Sequence, residues 1–157
     1  MNSPKIKSFG QIVIIVKKLK KAGRKVVFTN GCFDILHIGH IKLFQQAKSF
    51  GDILVVGLNS DSSVRKIKGP ERPINRENDR AEILASLSTV DFVVKFAQPT
   101  PYELIKIIKP DVLVKGSDWK SGEIIGREFA GKVRRIKLAR GYSTTGTIKK
   151  IKGISPL

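Results

Sequence analysis

The sequence predicts a three-layer α/β domain on a mostly parallel sheet, and three observations lead there. Ile53-Leu54-Val55-Val56-Gly57-Leu58 is a continuous apolar run without alternation, the pattern of a parallel strand covered on both faces. Short runs of this kind alternate along the chain with segments whose apolar residues recur at helical spacing. At 157 residues and 41% hydrophobic content, the chain is one domain by size and can bury a core without metal or disulfide staples.

In chain order, Ser8-Phe9-Gly10-Gln11 has capping-box spacing, and Ile12, Ile15, Val16 and Leu19 share one helical face, so a helix is expected to end near Gly23. Lys25 to Thr29 reads as a buried strand, Gly31 as a turn, and Gly39 to Ser49 as a helix burying Ile41, Phe44 and Ala47. After the strand Ile53–Leu58, the stretch from Asn59 to Pro73 has too few apolar residues for core and is expected to be a long loop, a class often functional. Asn75 is placed to cap a helix carrying Ala81, Ile83, Leu84 and Leu87, and Asp91 to Val94 is a third strand. Thr100-Pro101-Tyr102-Glu103 combines a cap, a first-turn proline and a capping-box acid, and Ile107-Ile108 close that helix before Pro110. Val112 to Val114 and Lys132 to Ile136 complete five strands, and a last helix from about Thr144 carries Ile148 and Ile151. The expected architecture is a Rossmann-like, mostly parallel five-stranded sheet: residues 1–24 form a helical segment packed on a domain of residues 25–157.

Composition excludes several classes. One cysteine, Cys32, rules out an intramolecular disulfide and a four-cysteine zinc site. The N-terminus shows charge but no apolar signal core, and Ile12 to Val16 is too short to cross a membrane, so a cytoplasmic setting without membrane insertion is expected. The formal charge of +17 invites a nucleic-acid reading. However, the basic residues are scattered, aromatics do not interleave with them, and no zinc-finger or helix-turn-helix pattern is present. A solvated basic surface that also attracts small polyanions is the reading kept.

In open parallel sheets ligands sit beyond the carboxyl ends of the strands. There the sequence places Asn30 to His40, Asn59 to Asp61 and Lys115 to Trp119. Both histidines of the chain, His37 and His40, fall within four residues, with Gly39 between them at a helix start. Two imidazoles can donate hydrogen bonds to phosphoryl oxygens there, and Gly39 admits a phosphate close to backbone N–H groups. With only Asp34 nearby, the pair makes a poor zinc site, and the sequence names no metal ligand.

Thr29-Asn30-Gly31-Cys32-Phe33-Asp34-Ile35-Leu36-His37-Ile38-Gly39-His40 resembles the opening motif of the cytidylyltransferase-like nucleotidyltransferase superfamily. Gly141-Tyr142-Ser143-Thr144-Thr145, with Lys150 beyond it, resembles that superfamily's serine-threonine segment. The resemblance implies transfer of a nucleoside monophosphate from a triphosphate to a phosphorylated acceptor, with Mg²⁺ and release of pyrophosphate. Leu58-Asn59-Ser60-Asp61, Val64 to Pro70, Arg72-Pro73-Ile74-Asn75 and Lys109 to Trp119 further resemble the adenylyltransferase domain of the bacterial enzyme that makes ADP-heptose. That implies ATP and D-glycero-β-D-manno-heptose 1-phosphate as substrates and a homodimer. Since no kinase segment is present, it also implies a separate sugar kinase upstream.

On this resemblance His37 and His40 act on the triphosphate and its developing charge. Lys42 faces the phosphates or is surface, and Lys66 or Lys68 closes over pyrophosphate or acceptor phosphate, with Arg65 as partner or surface. Ser143, Thr144 and Thr145 present hydroxyls and N–H groups to phosphate or cap a helix, and Lys150 is a further phosphate contact. Asp34 holds the loop or reaches Mg²⁺, and Asn59 and Asp61 meet sugar hydroxyls or the phosphate loop. Gly116, Asp118, Trp119 and Tyr142 line the nucleotide or sugar pocket. Thr29, Asn30, Gly31 and Phe33 belong to the binding motif, Phe33 being equally a packing residue.

The chain departs from the family pattern at Ser117, where heptose enzymes usually show glycine, and at Lys137 and Arg140, where proline and an acid are expected. Leu138 stands where cytidylyltransferases tend to carry arginine, which argues against CTP. The alternatives are a glycerol-3-phosphate or ethanolamine-phosphate cytidylyltransferase, an FMN or pantetheine-phosphate adenylyltransferase, and, outside enzymes, a basic nucleic-acid-binding protein.

Overall fold

The computed structural model describes residues 3–116, 124–137 and 141–153. Six parallel-paired strands form one sheet: β1 (Ile6–Lys7), β2 (Val26–Gly31), β3 (Ile53–Asn59), β4 (Phe92–Phe96), β5 (Val112–Gly116) and β6 (Lys132–Ile136), in the order β1-β4-β3-β2-β5-β6. The sequence's five strands are all present. The sixth, β1, is two residues long, too short to show a period, and pairs with Val93 and Val94 at the sheet edge.

Helices cover both faces, which is why the central strands are apolar throughout. In β3, Leu54, Val56 and Leu58 join the cluster around Phe44 and Ala47 of α2 (Ile38–Lys48) and Ala81, Leu84 and Ala85 of α4 (Glu77–Ser86). Val55 points the other way, with Phe28 of β2, to Ile12 and Val16 of α1 (Phe9–Lys21) and Leu104, Ile105 and Ile108 of α5 (Tyr102–Ile108). The capping box of α1 is realised in both directions between Ser8 and Gln11.

Several local expectations change. The polar stretch after β3 is not a loop but contains α3 (Asp61–Lys68), capped by Ser60 and ended by Gly69 at φ +99°. It escapes an apolar count because Val64 is its only buried apolar residue, while Ser63 is buried by bonding Asn59 and the Gln98 carbonyl. Asn75 is not the cap of α4. Arg76 takes that position without a side-chain bond, because the Asn75 amide donates to the Asp34 carbonyl instead, at 2.7 Å. The N-cap of α5 is Pro101 rather than Thr100. In α2, Leu43 is buried and Ile41 only half-buried, and in α4 Ile83 is exposed.

The chain runs from β2 outward through β3 to β4, then crosses to β5 and β6 on the other side. Strand order therefore reverses between β2 and β5, and the crevice above their carboxyl ends is where this topology binds ligands. Among the described residues no helix is long and apolar enough to cross a membrane.

The first helix is part of the core, since Ile12 is 0% exposed, whereas Ile14 on the same helix is 59% exposed. Ile12→Ala is expected to cost about 2–5 kcal/mol and Ile14→Ala less than about 0.5 kcal/mol. Urea midpoints at unchanged slope measure both; equal shifts would place the helix outside the cooperative fold.

Candidate active site

β2 delivers the chain to the crevice at Asn30 and Gly31. Phe33 then turns back at φ +42°, and its ring packs under Gly31, where an added Cβ would lie 2.9 Å from it. The same ring meets His40 edge-on at 5.2 Å and Phe44 at 5.0 Å, so it supports the histidine from below.

His37 is the N-cap of α2 and His40 stands one turn in. An extended His37 makes no side-chain cap bond, and the first turn holds no acid. The first N–H groups of a helix have no i−4 partner; the His40 N–H turns to the His37 carbonyl at 2.9 Å, and a helix start of this kind suits an anion. The two imidazoles stack with centroids 3.8 Å apart and planes 19° from parallel. Among the described residues both Nδ1 atoms are shielded from solvent without a hydrogen-bond partner, a state that calls for a ligand or water. Gly39 permits the arrangement, because a Cβ there would sit 3.0 Å from the His37 ring.

Burial, and then the neighbouring His37, pushes His40 down to about 4, and burial also lowers His37. Both rings are therefore neutral near pH 7 and act as hydrogen-bonding groups rather than as fixed cations.

The serine-threonine segment arrives from the far end of the chain. Ser143 caps α6 (Thr144–Lys152) by accepting from Gly146 at 3.0 Å. Thr144 donates to the Ile35 carbonyl, 109 residues away, at 3.2 Å. The Tyr142 ring lies 6.4 Å from His37, and its Cβ lies 3.5 Å from where a Gly39 side chain would begin. Thr145 lines an open cleft of about 540 Å³ with Lys68, Arg72, Ile148, Lys149 and Lys152.

Other residues chosen from sequence have different places. The Asp34 carboxylate is buried and accepts from Arg72 Nε at 2.7 Å, the Ile74 N–H at 2.8 Å and the Asn75 N–H at 2.9 Å. Of the roles open to it, loop-holding is the one this geometry supplies. Burial raises its pKa, but the bonds from Asn75, Ile74 and Arg72 outweigh that and hold it below the ordinary value. Asn59 donates to Ser63 at 2.9 Å and Asp61 accepts from Arg80 at 2.8 Å, so both are engaged within the protein. Thr29 is buried inside β2. Asn30 accepts from Lys115 across the crevice, below Gly116 at the end of β5. Lys42 is exposed on α2, and Lys66 and Lys150 are exposed without lining the cleft, where Lys68, Lys149 and Lys152 stand instead. Asp118 and Trp119 lie outside the described residues.

Sequence reasoning did not single out Arg80, which the structure buries next to the histidine loop. The signal for Arg80 was a base at the core position of an 80-81-84-85 helical stripe.

A family model described as cytidylyltransferase-like matches residues 28–152. The bifunctional protein HldE of Sulfurimonas denitrificans is 61% identical over 148 residues, covering 94% of this chain and 31% of that protein. The protein of the same name from Aliarcobacter butzleri is 56% identical over 146 residues, covering 93% and 31%. The chain thus spans 31% of the length of these curated relatives. Among solved structures, a lipopolysaccharide core biosynthesis protein from Thermoplasma volcanium superposes with a TM-score of 0.63 at 30% identity, over 74% of this chain and 99% of that one. A pantoate-β-alanine ligase from Francisella tularensis gives a TM-score of 0.65 at 21% identity, over 86% and 67%, a likeness of fold alone.

A depressed histidine pKa has a definite sign. Between about pH 6.5 and about 4 the unfolded chain binds a proton at His40 that the folded chain does not, so stability falls as pH falls through that window. It is unaffected above the window, and nothing further is lost below it. His40→Asn is expected to flatten this part of the profile, read as urea midpoints at pH 7, 5.5 and 4.5. Parallel profiles for the two proteins would mean that His40 titrates as it does in water.

Proposed function

The chain belongs to the cytidylyltransferase-like family of nucleotidyltransferases, and from that premise we propose that it transfers AMP from ATP to D-glycero-β-D-manno-heptose 1-phosphate. The products are ADP-heptose, a precursor for the lipopolysaccharide core, and pyrophosphate. The observation that carries this reading is the convergence of the neutral His37–His40 stack, an uncapped helix N-terminus and the Ser143–Thr145 segment on one crevice. The 61% identity to a bifunctional HldE protein supports the choice of acceptor.

An oxygen of the acceptor phosphate, already anionic, attacks the α-phosphorus of ATP. The bond from that phosphorus to the bridging oxygen breaks, and its electron pair leaves with pyrophosphate. No covalent intermediate and no strong base are needed, so placement and charge stabilisation carry the rate. His37 and His40 donate hydrogen bonds to oxygens on which charge grows. The N–H groups opening α2 hold the triphosphate, and Lys68 faces the phosphates across the cleft from Thr145. Lys149 replaces Lys150 as the α6 base on this path. Asp118, Trp119 and Tyr142 are assigned to the nucleotide and sugar ends.

Among the described residues no group of three or more His, Cys, Asp or Glu is placed to hold a metal, and the Asp34 oxygens are already engaged. These described residues make no cradle for a resident ion, and Mg²⁺ enters as part of the substrate, MgATP. A cytoplasmic setting, where ATP is supplied, a homodimer and a sugar kinase activity that supplies the acceptor complete the proposal.

Pyrophosphate release should be measured with ATP or CTP against heptose 1-phosphate and glycerol 3-phosphate. Release is expected with ATP and heptose 1-phosphate; release only with CTP and glycerol 3-phosphate would overturn both substrate assignments. In the productive pair His40→Ala is expected to lower kcat by about 10²-fold or more, the scale for loss of one preorganised donor. A folded variant with unchanged kcat would remove His40 from the chemistry.

A further inference from the structure

Arg80 stands on the inner face of α4 beside Ala81, Leu84 and Ala85, and its side chain is 0% exposed. A guanidinium withdrawn from water is tolerated only where its charge and N–H groups find partners. Here all three nitrogens do, each on a different segment. Nε donates to the Asn75 carbonyl at 3.0 Å, Nη1 to the Cys32 carbonyl, and Nη2 to Asp61 Oδ1 at 2.8 Å. Cys32 lies in the histidine loop, Asn75 ends the segment that follows α3, and Asp61 is the first residue of α3. The Asp61 N–H is held in turn by Glu77 at 2.9 Å, and Glu77 by Lys95 at 3.2 Å.

With one buried apolar residue in eight, α3 is held mainly by polar ties: Arg80 and Glu77 at Asp61, and Asn59 and the Gln98 carbonyl at Ser63. Its last residue is Lys68, which lines the cleft. Arg80 itself does not line the cleft.

We propose that Arg80 is a positioning residue for the transfer reaction: its fork fixes α3 against the histidine loop and thereby sets Lys68 on the phosphates. The inference rests on the reading of Lys68 given above. Lysine at position 80 would keep the charge opposite Asp61 but lacks the planar fork that reaches three acceptors, so Arg80→Lys separates geometry from charge.

The test is a cycle of Arg80→Lys, Lys68→Ala and the double variant, with kcat and KM measured beside urea melts. Lys68→Ala is expected to lower kcat by about 10²-fold, and Arg80→Lys by about 10- to 10²-fold, the scale of a small misplacement. The double variant is expected to be no slower than Lys68→Ala within about twofold, because Arg80 has nothing left to position. Losses that multiply, or a lowered melt with kcat unchanged, would overturn the proposal. If Arg80→Lys does not fold, Asp61→Asn takes its place in the cycle with the same expectation. If the wild type releases no pyrophosphate from heptose 1-phosphate, the acceptor reading fails, and the cycle is read on pyrophosphate affinity by titration calorimetry. Sub-additive losses there support the positioning role and additive losses overturn it. A wild type that binds no pyrophosphate overturns both this inference and the phosphate-site reading.

Discussion

The active-site wall is organised by one buried carboxylate. Asp34 sits in an irregular loop whose backbone cannot be satisfied by sheet or helix, beside a segment that supplies no core residues. Its oxygens gather the Arg72 guanidinium and the N–H groups of Ile74 and Asn75, while the Asn75 amide returns a bond to the Asp34 carbonyl. Removing one partner from such a buried pair costs about 3–5 kcal/mol, a large share of the roughly 5–15 kcal/mol that keeps a domain folded. The histidine loop and the segment after α3 are therefore held together as one body. Arg80 adds a second tie between them through Cys32 and Asn75.

This use of acids bears on the charge of the molecule. The chain has 13 acidic residues against 30 basic ones, and Asp34 and Asp61 are committed to internal pairs. The cationic excess stays at the surface and along the cleft, where a polyanionic substrate benefits from it. The histidines are a different device. Stacked at 3.8 Å and partly buried, they could not both carry charge without mutual repulsion, and burial favours the neutral form of each. Long-range attraction of an anion is a property of the lysines, whereas neutral imidazoles and backbone N–H groups offer directional hydrogen bonds whose orientation is preset.

What could be read from sequence follows the range of the forces involved. β2, β3, α1 and α2 declare themselves because their burial pattern is local, and the Ser8–Gln11 box is a four-residue signal realised as written. The histidine and serine-threonine motifs were legible as separate pieces, and the structure joins them through Thr144 and Ile35. α3 was not legible because its ties run to Arg80, Asn59 and Gln98 rather than to an apolar stripe. Nor could sequence divide the labour within Ser143-Thr144-Thr145, where one residue caps, one binds the loop and one faces the cleft. Which of Lys149, Lys150 and Lys152 line the cleft depends on the facing direction of α6. Thr145, Ile148, Lys149 and Lys152 share one face at helical spacing, and Lys150 is turned away from it.

The two walls of the cleft are anchored unequally. One, from Lys68 to Ile74, is pinned by Asp34 and is joined by α3, whose far end at Asp61 meets the Arg80 fork. The other, α6, has no buried residue along its length and rests on Thr144 and on the contact of Tyr142 with the histidine end. A transferase must fix the reacting phosphorus closely yet admit one polyanion and let another leave. Fixing both walls equally would gain placement at the expense of release, the step that limits many enzymes. Among the described residues the buried ion pairs fall on the side of α3 and the Lys68–Ile74 segment, while α6 is tied through the Thr144 hydroxyl and the Tyr142 ring, a division that favours release past α6.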